Sequence, residues 1–422
     1  MKRVLPSLLV LVPLACRGEF DVDKYLVADG ESESSGDSSG TLGESGSESA
    51  SESGSSESGG SESETTEGSG SESESSDTDV ACMPGELDLG SVCIDTKQIL
   101  NLPREMAEPG DIALADFTGD FSLDLLVASA AGVTLWPSSN GQFGAGSPIT
   151  GAFGIGLAVD DVNDDGSPDF AAVSFDQTQI FLSNGGEFSS PTMLGFGGHD
   201  AVFADLDGDL DGDLVVSGAA LRTTLLTGGA FGMPFSYPHA GLGLAAGEID
   251  DDVFIDLALV MTEPVAIGVF VNSEGNGMLT GPDLFTSSGA SDVALLDVDG
   301  DLQLELLVVD LDGDTLTVVS AANLQPIEQH PVGDDPKAIA IGDIDGDGID
   351  DVAVANAGSH DVSILLATGT GLTDEFRTLN SDPNDQPEAI EIRDLEVDGF
   401  GEIVTLMRGS RRVVVYGHTP IP

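Results

Sequence analysis

Basic residues are scarce in this chain of 422 residues. Lysine and arginine together number 13, against 75 aspartates and glutamates, which gives a formal net charge of −62 at neutral pH. Such a surface repels the phosphate backbone, so the composition argues against nucleic acid as a partner. Aromatic residues make up 5% of the chain, with three tyrosines and one tryptophan. Because an enzyme cleft needs converging tyrosine, histidine, lysine or arginine side chains, this composition disfavours catalysis.

Recognisable catalytic motifs are also absent from the sequence, which has no nucleophile motif, phosphate-binding glycine loop or metal-hydrolase motif. Cysteine is nearly absent, with only Cys16, Cys82 and Cys93. Two thiols without a neighbouring histidine are a poor zinc site. If Cys16 is modified, Cys82 and Cys93 remain as a local pair, and an oxidising compartment would let them form a disulfide.

A short apolar run lies at the N-terminus, where residues 1–16 read MKRVLPSLLVLVPLAC. Two basic residues followed by a short apolar segment are typical of a secretory signal peptide, and the segment is too short to span a bilayer. Its ending resembles a bacterial lipobox with Cys16 as the lipid-modified residue, although Pro13 departs from the motif. We therefore expect an exported protein, lipid-anchored to the bacterial cell envelope at the outer membrane or cell surface. The alternative is an ordinary cleaved signal peptide with an incidental cysteine.

Residues 17–80 are predicted to form a disordered acidic linker rich in serine, glutamate and glycine. From residue 31 to residue 79 the chain has no lysine, arginine or aromatic residue. Such a segment cannot bury enough apolar surface to offset its ordering entropy. It would serve as a stalk or as a passive spacer, and composition does not separate the two. Residues 81–95 are predicted to be a Cys-bridged collar that precedes a domain at 96–422.

Acidic residues, by contrast, recur in one spacing, which is clearest in Asp343-Ile-Asp345-Gly-Asp347-Gly-Ile-Asp-Asp351. Carboxylates stand at positions 1, 3, 5 and 9, and glycine at position 6 permits a sharp turn. Like charges this close repel one another and raise one another's pKa. A calcium ion, which takes six to eight oxygen ligands, resolves that conflict. The spacing resembles the first half of an EF-hand loop, but it lacks the glutamate at position 12 and the flanking helices.

The same loop occurs seven times, with first ligands 43 to 51 residues apart. A period in the forties with short β-rich runs is typical of propeller blades, so we predict an all-β, seven-bladed β-propeller. The candidate metal ligands are, loop by loop, Asp116, Asp120 and Asp124; Asp161, Asn163, Asp165 and Asp169; Asp205, Asp207, Asp209 and Asp213; Glu248, Asp250, Asp252 and Asp256; Asp297, Asp299, Asp301 and Glu305; Asp343, Asp345, Asp347 and Asp351; Asp394, Glu396, Asp398 and Glu402.

The loops match the pattern unequally. Loops 2, 3 and 6 match it best, loops 1, 5 and 7 depart from it, and the fourth is the weakest because Val253 and Phe254 stiffen the turn. Any one loop could instead be a solvated acidic hairpin. The segment Asp310-Leu-Asp-Gly-Asp314 illustrates that alternative, because it has a similar composition but falls out of phase.

These loops, together with turns such as Phe143-Gly-Ala-Gly146, resemble the FG-GAP/VCBS repeats of integrin α-subunit-like propellers. The resemblance covers about residues 95–422 and implies several structural calcium ions bound between the first and second strands of each blade. It also implies that the opposite face meets ligands. Candidate residues on that face are His199, His239, Arg222, His360, Arg408, Arg411 and Arg412. The alternative is that they are ordinary polar loop residues.

The C-terminal blade lacks a fourth strand in sequence, since the chain ends soon after a strand-like run at 412–416. We predict that the segment 98–102 supplies this strand and closes the ring, which would remove exposed edges.

Our leading interpretation is a monomeric, surface-anchored, calcium-binding propeller without enzymatic activity that binds a protein or glycan. The alternatives are a polysaccharide-active enzyme such as a lyase, or a purely structural envelope protein.

Overall fold

The computed structural model describes residues 82, 86–90, 92–106, 108–250, 252–373 and 377–420. Within these ranges the regular elements are all β-strands, which confirms the predicted fold class. The described ranges contain no helix long and apolar enough to cross a membrane. The predicted signal peptide, Cys16 and the linker at 17–80 lie outside the described residues.

The strands follow one another in chain order. The N-terminal pair and blade 1 comprise β1 (Leu87–Asp88), β2 (Val92–Asn101), β3 (Pro109–Ala115), β4 (Asp124–Ser129), β5 (Gly132–Trp136), β6 (Ser138–Ser139), β7 (Gln142–Phe143) and β8 (Ser147–Pro148). Blades 2 and 3 comprise β9 (Gly156–Asp160), β10 (Asp169–Val173), β11 (Thr178–Phe181), β12 (Ser183–Asn184), β13 (Glu187–Phe188), β14 (Thr192–Leu194), β15 (Asp200–Ala204), β16 (Asp213–Ser217), β17 (Leu221–Thr224), β18 (Leu226–Thr227), β19 (Ala230–Phe231) and β20 (Phe235–Tyr237). Blades 4 and 5 comprise β21 (Gly241–Gly247), β22 (Asp256–Thr262), β23 (Val265–Val271), β24 (Thr280–Phe285), β25 (Ala290–Leu296), β26 (Glu305–Asp310), β27 (Thr315–Ser320) and β28 (Gln325–Pro331). Blades 6 and 7 comprise β29 (Pro336–Gly342), β30 (Asp351–Asn356), β31 (Asp361–Leu365), β32 (Arg377–Asn380), β33 (Pro387–Arg393), β34 (Glu402–Met407) and β35 (Arg412–Pro420).

Seven antiparallel sheets follow one another along the chain as the blades of a propeller. Six have four strands, for example β3-β4-β5-β8 and β29-β30-β31-β32, and the seventh has five. Short hairpins, β6–β7, β12–β13 and β18–β19, follow the third strand of blades 1 to 3. The structure therefore confirms the predicted seven-bladed propeller.

Burial explains why the second strands read as continuous apolar runs. Every residue of β4 and of β30 is buried, which fits strands covered on both faces by neighbouring blades. The fourth strands lie at the rim, and β24 is mostly exposed. Between blades 1 and 2 the core is aromatic, where Phe170 stacks on Phe181 at 4.8 Å between ring centroids and meets Phe117 edge-on.

Ring closure occurs as predicted, because β2 pairs with β35 through partners such as Gln98 with Val415 and Asn101 with Arg412. The closing strand is longer than expected. It begins at Val92, so the predicted boundary between a collar at 81–95 and the propeller falls inside β2. The predicted disulfide between Cys82 and Cys93 is present, and Cys93 itself pairs with Thr419. The second half of the predicted collar thus belongs to blade 7.

Buried aspartates, which the sequence pattern did not single out, tie alternate blades to their neighbours. In blades 1, 3 and 5 such a residue begins or lies within the first strand and accepts a backbone amide from the next blade: Asp111 from Leu157 at 2.7 Å, Asp200 from Leu244 at 3.0 Å and Asp292 from Ile339 at 3.1 Å. At the equivalent place, blades 2 and 4 carry glycine and blades 6 and 7 carry alanine. These bonds fix the packing of the inner strands.

Candidate metal centres

The seven acidic loops join the first and second strands of each blade, so they emerge at one end of the propeller. We call them the first to seventh loops, and they begin at positions 116, 161, 205, 248, 297, 343 and 394. Their backbone is organised by the first carboxylate. In the sixth loop Asp343 accepts the amides of Gly346 at 2.7 Å and Gly348 at 2.9 Å. A short acidic side chain that binds amides a few residues ahead favours a tight turn.

Position 6 takes the left-handed conformation whether or not it is glycine. Gly348 has φ +85°, and Leu210, Val253 and Leu302 have φ of 74°, 75° and 73°. The stiffening expected from Val253 therefore does not change the turn of the fourth loop. A bulky residue in this region costs about 1–2 kcal/mol, so the rest of the loop holds it there.

The carboxylate at position 9 is buried in every loop, and in the first, second, third, fourth and sixth loops it accepts the amide of a residue that follows the third strand. Asp351, for example, is 1% exposed and accepts the amides of Ile344 at 3.0 Å and Ala367 at 2.8 Å. Its equivalents are Asp124, Asp169, Asp213, Asp256, Glu305 and Glu402. The sequence identified these residues as candidate ligands, and the structure adds that five of them also link the loop to the end of the third strand.

Burial raises the pKa of most position-9 carboxyls. It brings Asp213, Glu305 and Asp351 to about 7, and Asp169 and Asp256 to about 6. Backbone amides oppose the shift, whereas the neighbouring loop carboxylates add to it. The folded chain therefore holds negative charge where water solvates it poorly, and a cation would relieve this cost.

Carboxylates converge in four of the loops. In the third to sixth loops, one oxygen from each of three side chains lies within 4.8 Å of the others: Asp205, Asp207 and Asp213; Glu248, Asp250 and Asp252; Asp297, Asp299 and Glu305; Asp343, Asp345 and Asp347. In the third loop, Asp207 Oδ1 is buried without a hydrogen-bond partner. Oxygen clusters of this kind suit a hard cation such as calcium. The fourth and fifth loops, whose sequences depart from the pattern, gather their oxygens as the third and sixth do.

The first and second loops arrange their acids differently. In the first, Thr118 replaces an acid at position 3, and its backbone amide donates to Asp124 at 2.8 Å. In the second, Asn163 Oδ1 accepts the Asp165 amide at 3.0 Å, while Asp169 Oδ2 is buried without a partner. The second loop thus keeps an oxygen that a cation could use.

The seventh loop differs from all the others because a lysine enters it. Lys97 Nζ lies 2.8 Å from Glu402 Oε1 and 2.9 Å from Glu396 Oε2. Burial lowers the pKa of Lys97, but the hydrogen bonds to both glutamates outweigh this and raise it. His418 Nε2 lies 3.0 Å from Asp398 Oδ2, and its ring stacks on Phe400. The side chains of Lys97 and His418 therefore contact three of the four predicted metal ligands of this loop, and the fourth, Asp394, accepts the amides of Asp398 and Gly399.

Two features direct the Lys97 side chain toward the seventh loop. The pairing of β2 with β35 shifts register between Thr96 and Gln98, and such a bulge redirects a side chain. Lys97 then runs across Gly417, where a Cβ atom would lie 2.1 Å from Lys97 Cδ. Glycine at 417 is therefore required for this path.

The candidate ligand-binding residues at the opposite end fall into two groups by their contacts. In blades 2 and 3, the Arg222 guanidinium lies 5.8 Å from the centre of the Phe196 ring, and His199 meets Phe175 edge-on at 5.2 Å. His239 meets Phe270 in blade 4 at 5.3 Å. Phe175 is half exposed, so this group offers an apolar surface beside a positive charge.

The second group lies in blades 6 and 7, and most of its side chains bind other residues of the propeller. His360 and Arg412 both contact Asp385, through its carbonyl and its carboxylate respectively. Arg408 forms a salt bridge of 3.2 Å with the buried Glu388. Arg411 is exposed, and its carbonyl accepts the Leu102 amide. Three of these four side chains therefore stabilise the loops around the closing blade.

Comparison with known proteins agrees with this architecture. Residues 161–216, which span the second loop and the start of blade 3, match the model of the FG-GAP-like repeat family. None of the curated proteins matches the chain.

Solved structures share the fold at low sequence identity. BBS1N in complex with ARL6DN, soaked with mercury, superposes with a TM-score of 0.57 and 12% identity over 79% of this chain and 97% of that chain. The same complex soaked with lead superposes with a TM-score of 0.55 and 11% sequence identity, over 77% of this chain and 97% of that chain. The WD40 β-propeller domain of Doa1 superposes with a TM-score of 0.53 and 13% sequence identity, over 77% of this chain and 96% of that chain.

Proposed function

We propose that this seven-bladed propeller with an FG-GAP-like repeat is an interaction module stabilised by calcium in its acidic loops. The observation that carries the proposal is the convergence of three carboxylate oxygens within 4.8 Å in each of the third to sixth loops. The four clusters recur in successive blades, in loops that join the same two strands. Two of the clusters include the buried position-9 acid, Asp213 or Glu305, so a cation there would neutralise a carboxylate that burial destabilises.

Calcium would act here as a structural ion. The loops offer oxygen donors only, which is the ligand set that calcium prefers. Extracellular calcium modules typically bind at ~10⁻⁴–10⁻³ M, so millimolar calcium would add about 1 kcal/mol or somewhat more for each occupied loop. In the seventh loop, Lys97 already supplies the positive charge, so this loop would depend least on calcium.

Equilibrium dialysis of the purified chain with calcium tests the number of sites. We expect four or more calcium ions per chain, and about one fewer in Asp345→Ala. The matched control is Asp312→Ala, which removes an exposed acid from the out-of-phase turn at 310–314 and should leave the number unchanged. Equal losses in the two variants would mean that the acids act only as diffuse charge.

We further propose that the end of the propeller opposite the acidic loops binds a protein or a glycan. The support is the half-exposed Phe175 in contact with His199, and Arg222 over the Phe196 ring, because aromatic and arginine side chains are enriched at binding sites. A glycan array and a pull-down, each run with wild type and with Phe175→Ala and Arg222→Ala, would test this surface. Retention by both variants would place the binding elsewhere, whereas turnover of an acidic polysaccharide would favour the enzyme alternative.

The proposed location is the cell envelope, through lipid on Cys16. A Cys16→Ala variant should leave the membrane fraction and become soluble. If this variant remained in the membrane fraction after a high-salt wash, the anchor would have to lie elsewhere in the chain.

A further inference from the structure

The most exposed apolar side chains of the described residues are concentrated in the acidic loops. Six large apolar side chains are more than four-fifths exposed, and five of these belong to the first, third, fourth, fifth and seventh loops: Phe121, Leu210, Val253, Leu302 and Val397. We call these five residues the apolar tips. The sixth, Met233, lies between β19 and β20 at the outer part of blade 3. Single exposed apolar residues are ordinary, but their repetition at one end of the propeller needs an explanation.

The apolar tips also have a backbone conformation that suits glycine better. Four of them occupy position 6 of their loops, with φ of 68° to 75°, and Val397 occupies position 4, with φ of 56°. The second, sixth and seventh loops have glycine at position 6. A bulky side chain destabilises the left-handed conformation, whereas glycine adopts it readily. Glycine would therefore serve the turn at least as well, so folding does not account for the apolar side chains.

Hydrogen bonds of the loop fix where the apolar tips are presented. The first carboxylate of the loop accepts the position-6 amide: Asp116 from Phe121 at 2.8 Å, Asp205 from Leu210 at 3.0 Å and Asp297 from Leu302 at 3.0 Å. These bonds hold the backbone of the residue, while its side chain lies in solvent.

Two of the apolar tips lie at one opening at the centre of the ring. Leu210 and Leu302, from blades 3 and 5, line the cavity that the first strands of blades 2 to 7 enclose. Ile255 and Leu304, from the fourth and fifth loops, line the same cavity and are partly buried. The acidic loops and the mouth of this cavity therefore form one surface with an apolar centre.

The charge of this surface is negative with or without calcium. The nine positions of each acidic loop contain no lysine or arginine. The third loop has five carboxylates, so one bound dication would leave it negative: Asp205, Asp207, Asp209, Asp211 and Asp213. Such a surface repels anionic lipid headgroups and attracts lysine and arginine side chains.

We propose that the acidic-loop end of the propeller binds a basic amphipathic segment of a partner protein. This segment would have apolar side chains along one side and lysine or arginine along the other. Its apolar side chains would cover Leu210 and Leu302 at the cavity mouth, and its cations would pair with the loop carboxylates. The surface is distinct from the proposed ligand-binding surface at the opposite end, and its use does not require bound calcium.

A synthetic peptide tests the proposal. The probe has about 18 residues of leucine and lysine, or five helical turns, arranged as an amphipathic helix. Its control has the same composition, with the leucines spread around the helix. Binding to the full chain carrying Cys16→Ala, so that lipid cannot contribute, would be followed by fluorescence anisotropy in chelator and in millimolar calcium.

We expect the amphipathic peptide to bind about tenfold more tightly than its control in both solutions, because only this peptide can cover both leucines at once. Equal affinities of the two peptides would mean that charge alone attracts them, and would overturn the proposal.

The diagnostic variant combines Leu210→Gly with Leu302→Gly, which removes the apolar side chains without changing the charge. The matched control is Met233→Gly, because Met233 is equally exposed, at 87%, but lies outside the acidic loops. The double variant should lose the tenfold preference for the amphipathic peptide, whereas Met233→Gly should keep it. A preference that persists in the double variant would overturn the proposal.

Thermal melting separates binding from folding in the same double variant. It should melt at the same or a higher temperature than the parent chain, because glycine suits the left-handed conformation at both positions. A lower melting temperature would show that the two leucines support the fold, and would overturn the argument that they are kept for a partner.

A bilayer is the alternative occupant of this surface. Vesicles of phosphatidylcholine, alone or mixed with phosphatidylserine, should not sediment the Cys16→Ala chain in chelator or in calcium. Sedimentation that the Leu210→Gly and Leu302→Gly double variant loses would assign the surface to a membrane and overturn the proposal.

Discussion

The sixth and seventh loops stand at equivalent places in neighbouring blades, but their carboxylates have different partners. In the sixth loop, Asp343, Asp345 and Asp347 converge within 4.8 Å, and backbone amides of the loop donate to them. In the seventh, Glu396 and Glu402 both contact the ammonium of Lys97. The sixth loop gathers three carboxylates, and the seventh contains a cation of the chain.

This difference separates two ways of stabilising the same turn. A dissolved ion stabilises a loop only in proportion to its concentration relative to its dissociation constant. A lysine held by its own strand has no such dependence, because it cannot diffuse away. The blade with the tethered cation is also the one that closes the ring, where β2 from the N-terminal segment meets β35. The closing blade should therefore persist when the calcium concentration falls.

The largest expected effect is that of pH in the presence of a chelator. Asp213, Glu305 and Asp351 have folded pKa values of about 7, whereas an unfolded carboxyl has a pKa near 4. The folded chain then binds more protons than the unfolded chain, so protonation stabilises it fully below about pH 4, and that stability is lost as pH rises to about 7. We expect the free energy of unfolding to fall by several kcal/mol over this range, at about 1.4 kcal/mol for each unit of pKa difference.

Denaturant melts at several pH values, with chelator and with calcium, measure this effect. In calcium, the free energy of unfolding should change less as the pH approaches 7, since a bound cation takes the place of the proton on these carboxylates. A chelated protein that becomes more stable as the pH rises would contradict the assignment of these buried acids.

Removal of the tethered cation by Lys97→Met should cost about 3 kcal/mol, because Glu402 is fully buried and would lose its ammonium partner. The same change should make the seventh loop dependent on calcium, so calcium should stabilise this variant more than wild type. Lys337→Met is the control, because it removes another buried lysine from an ion pair, with the partly exposed Asp335, away from the acidic loops. If calcium rescued both variants equally, the seventh loop would not be the source of the effect.

A smaller change should displace the lysine without removing it. Alanine at 417 would place Cβ 2.1 Å from Lys97 Cδ, and the flexible side chain would have to leave its path. We expect Gly417→Ala to cost about 1–2 kcal/mol and to add some calcium dependence. Gly195→Ala, where a Cβ would meet nothing within 4 Å, should do neither. Identical thermal melts for Gly417→Ala and wild type would show that the contact is unimportant.

The smallest effect should come from one acid of the sixth loop. Asp345→Asn should reduce stabilisation by millimolar calcium by about 1 kcal/mol, one loop's share. In chelator the same variant should be unchanged or slightly more stable, because burial and the neighbouring Asp347 raise the pKa of Asp345. Asp312→Asn should change neither the stabilisation by calcium nor the stability in chelator. A loss of stability in chelator would mean that Asp345 acts through internal contacts alone.

The sequence was sufficient for the fold because the acidic loops mark each blade in phase. The strand at 98–102 could be predicted because the last blade was one strand short, and β2 fills that place. The sequence could not reveal the full length of β2, since residues 92–95 read as the second part of the Cys-bridged collar. Long-range pairing with β35 decided their conformation.

The parts of the site that the sequence did not predict depend on contacts between distant residues. Lys97 precedes Glu402 by 305 positions, and only a bulge in β2 brings them together. Val253 was expected to disturb its turn, but the amides and carboxylates of the loop impose the left-handed conformation on it.

Thermal melting of the purified chain in calcium, in magnesium and in chelator tests the central claim most directly. We expect the highest melting temperature in calcium, and lower, similar values in magnesium and chelator, because magnesium demands a tight octahedron and holds its waters. Identical melting temperatures in all three solutions would show that the acidic loops are solvated turns and that the propeller does not need a metal ion.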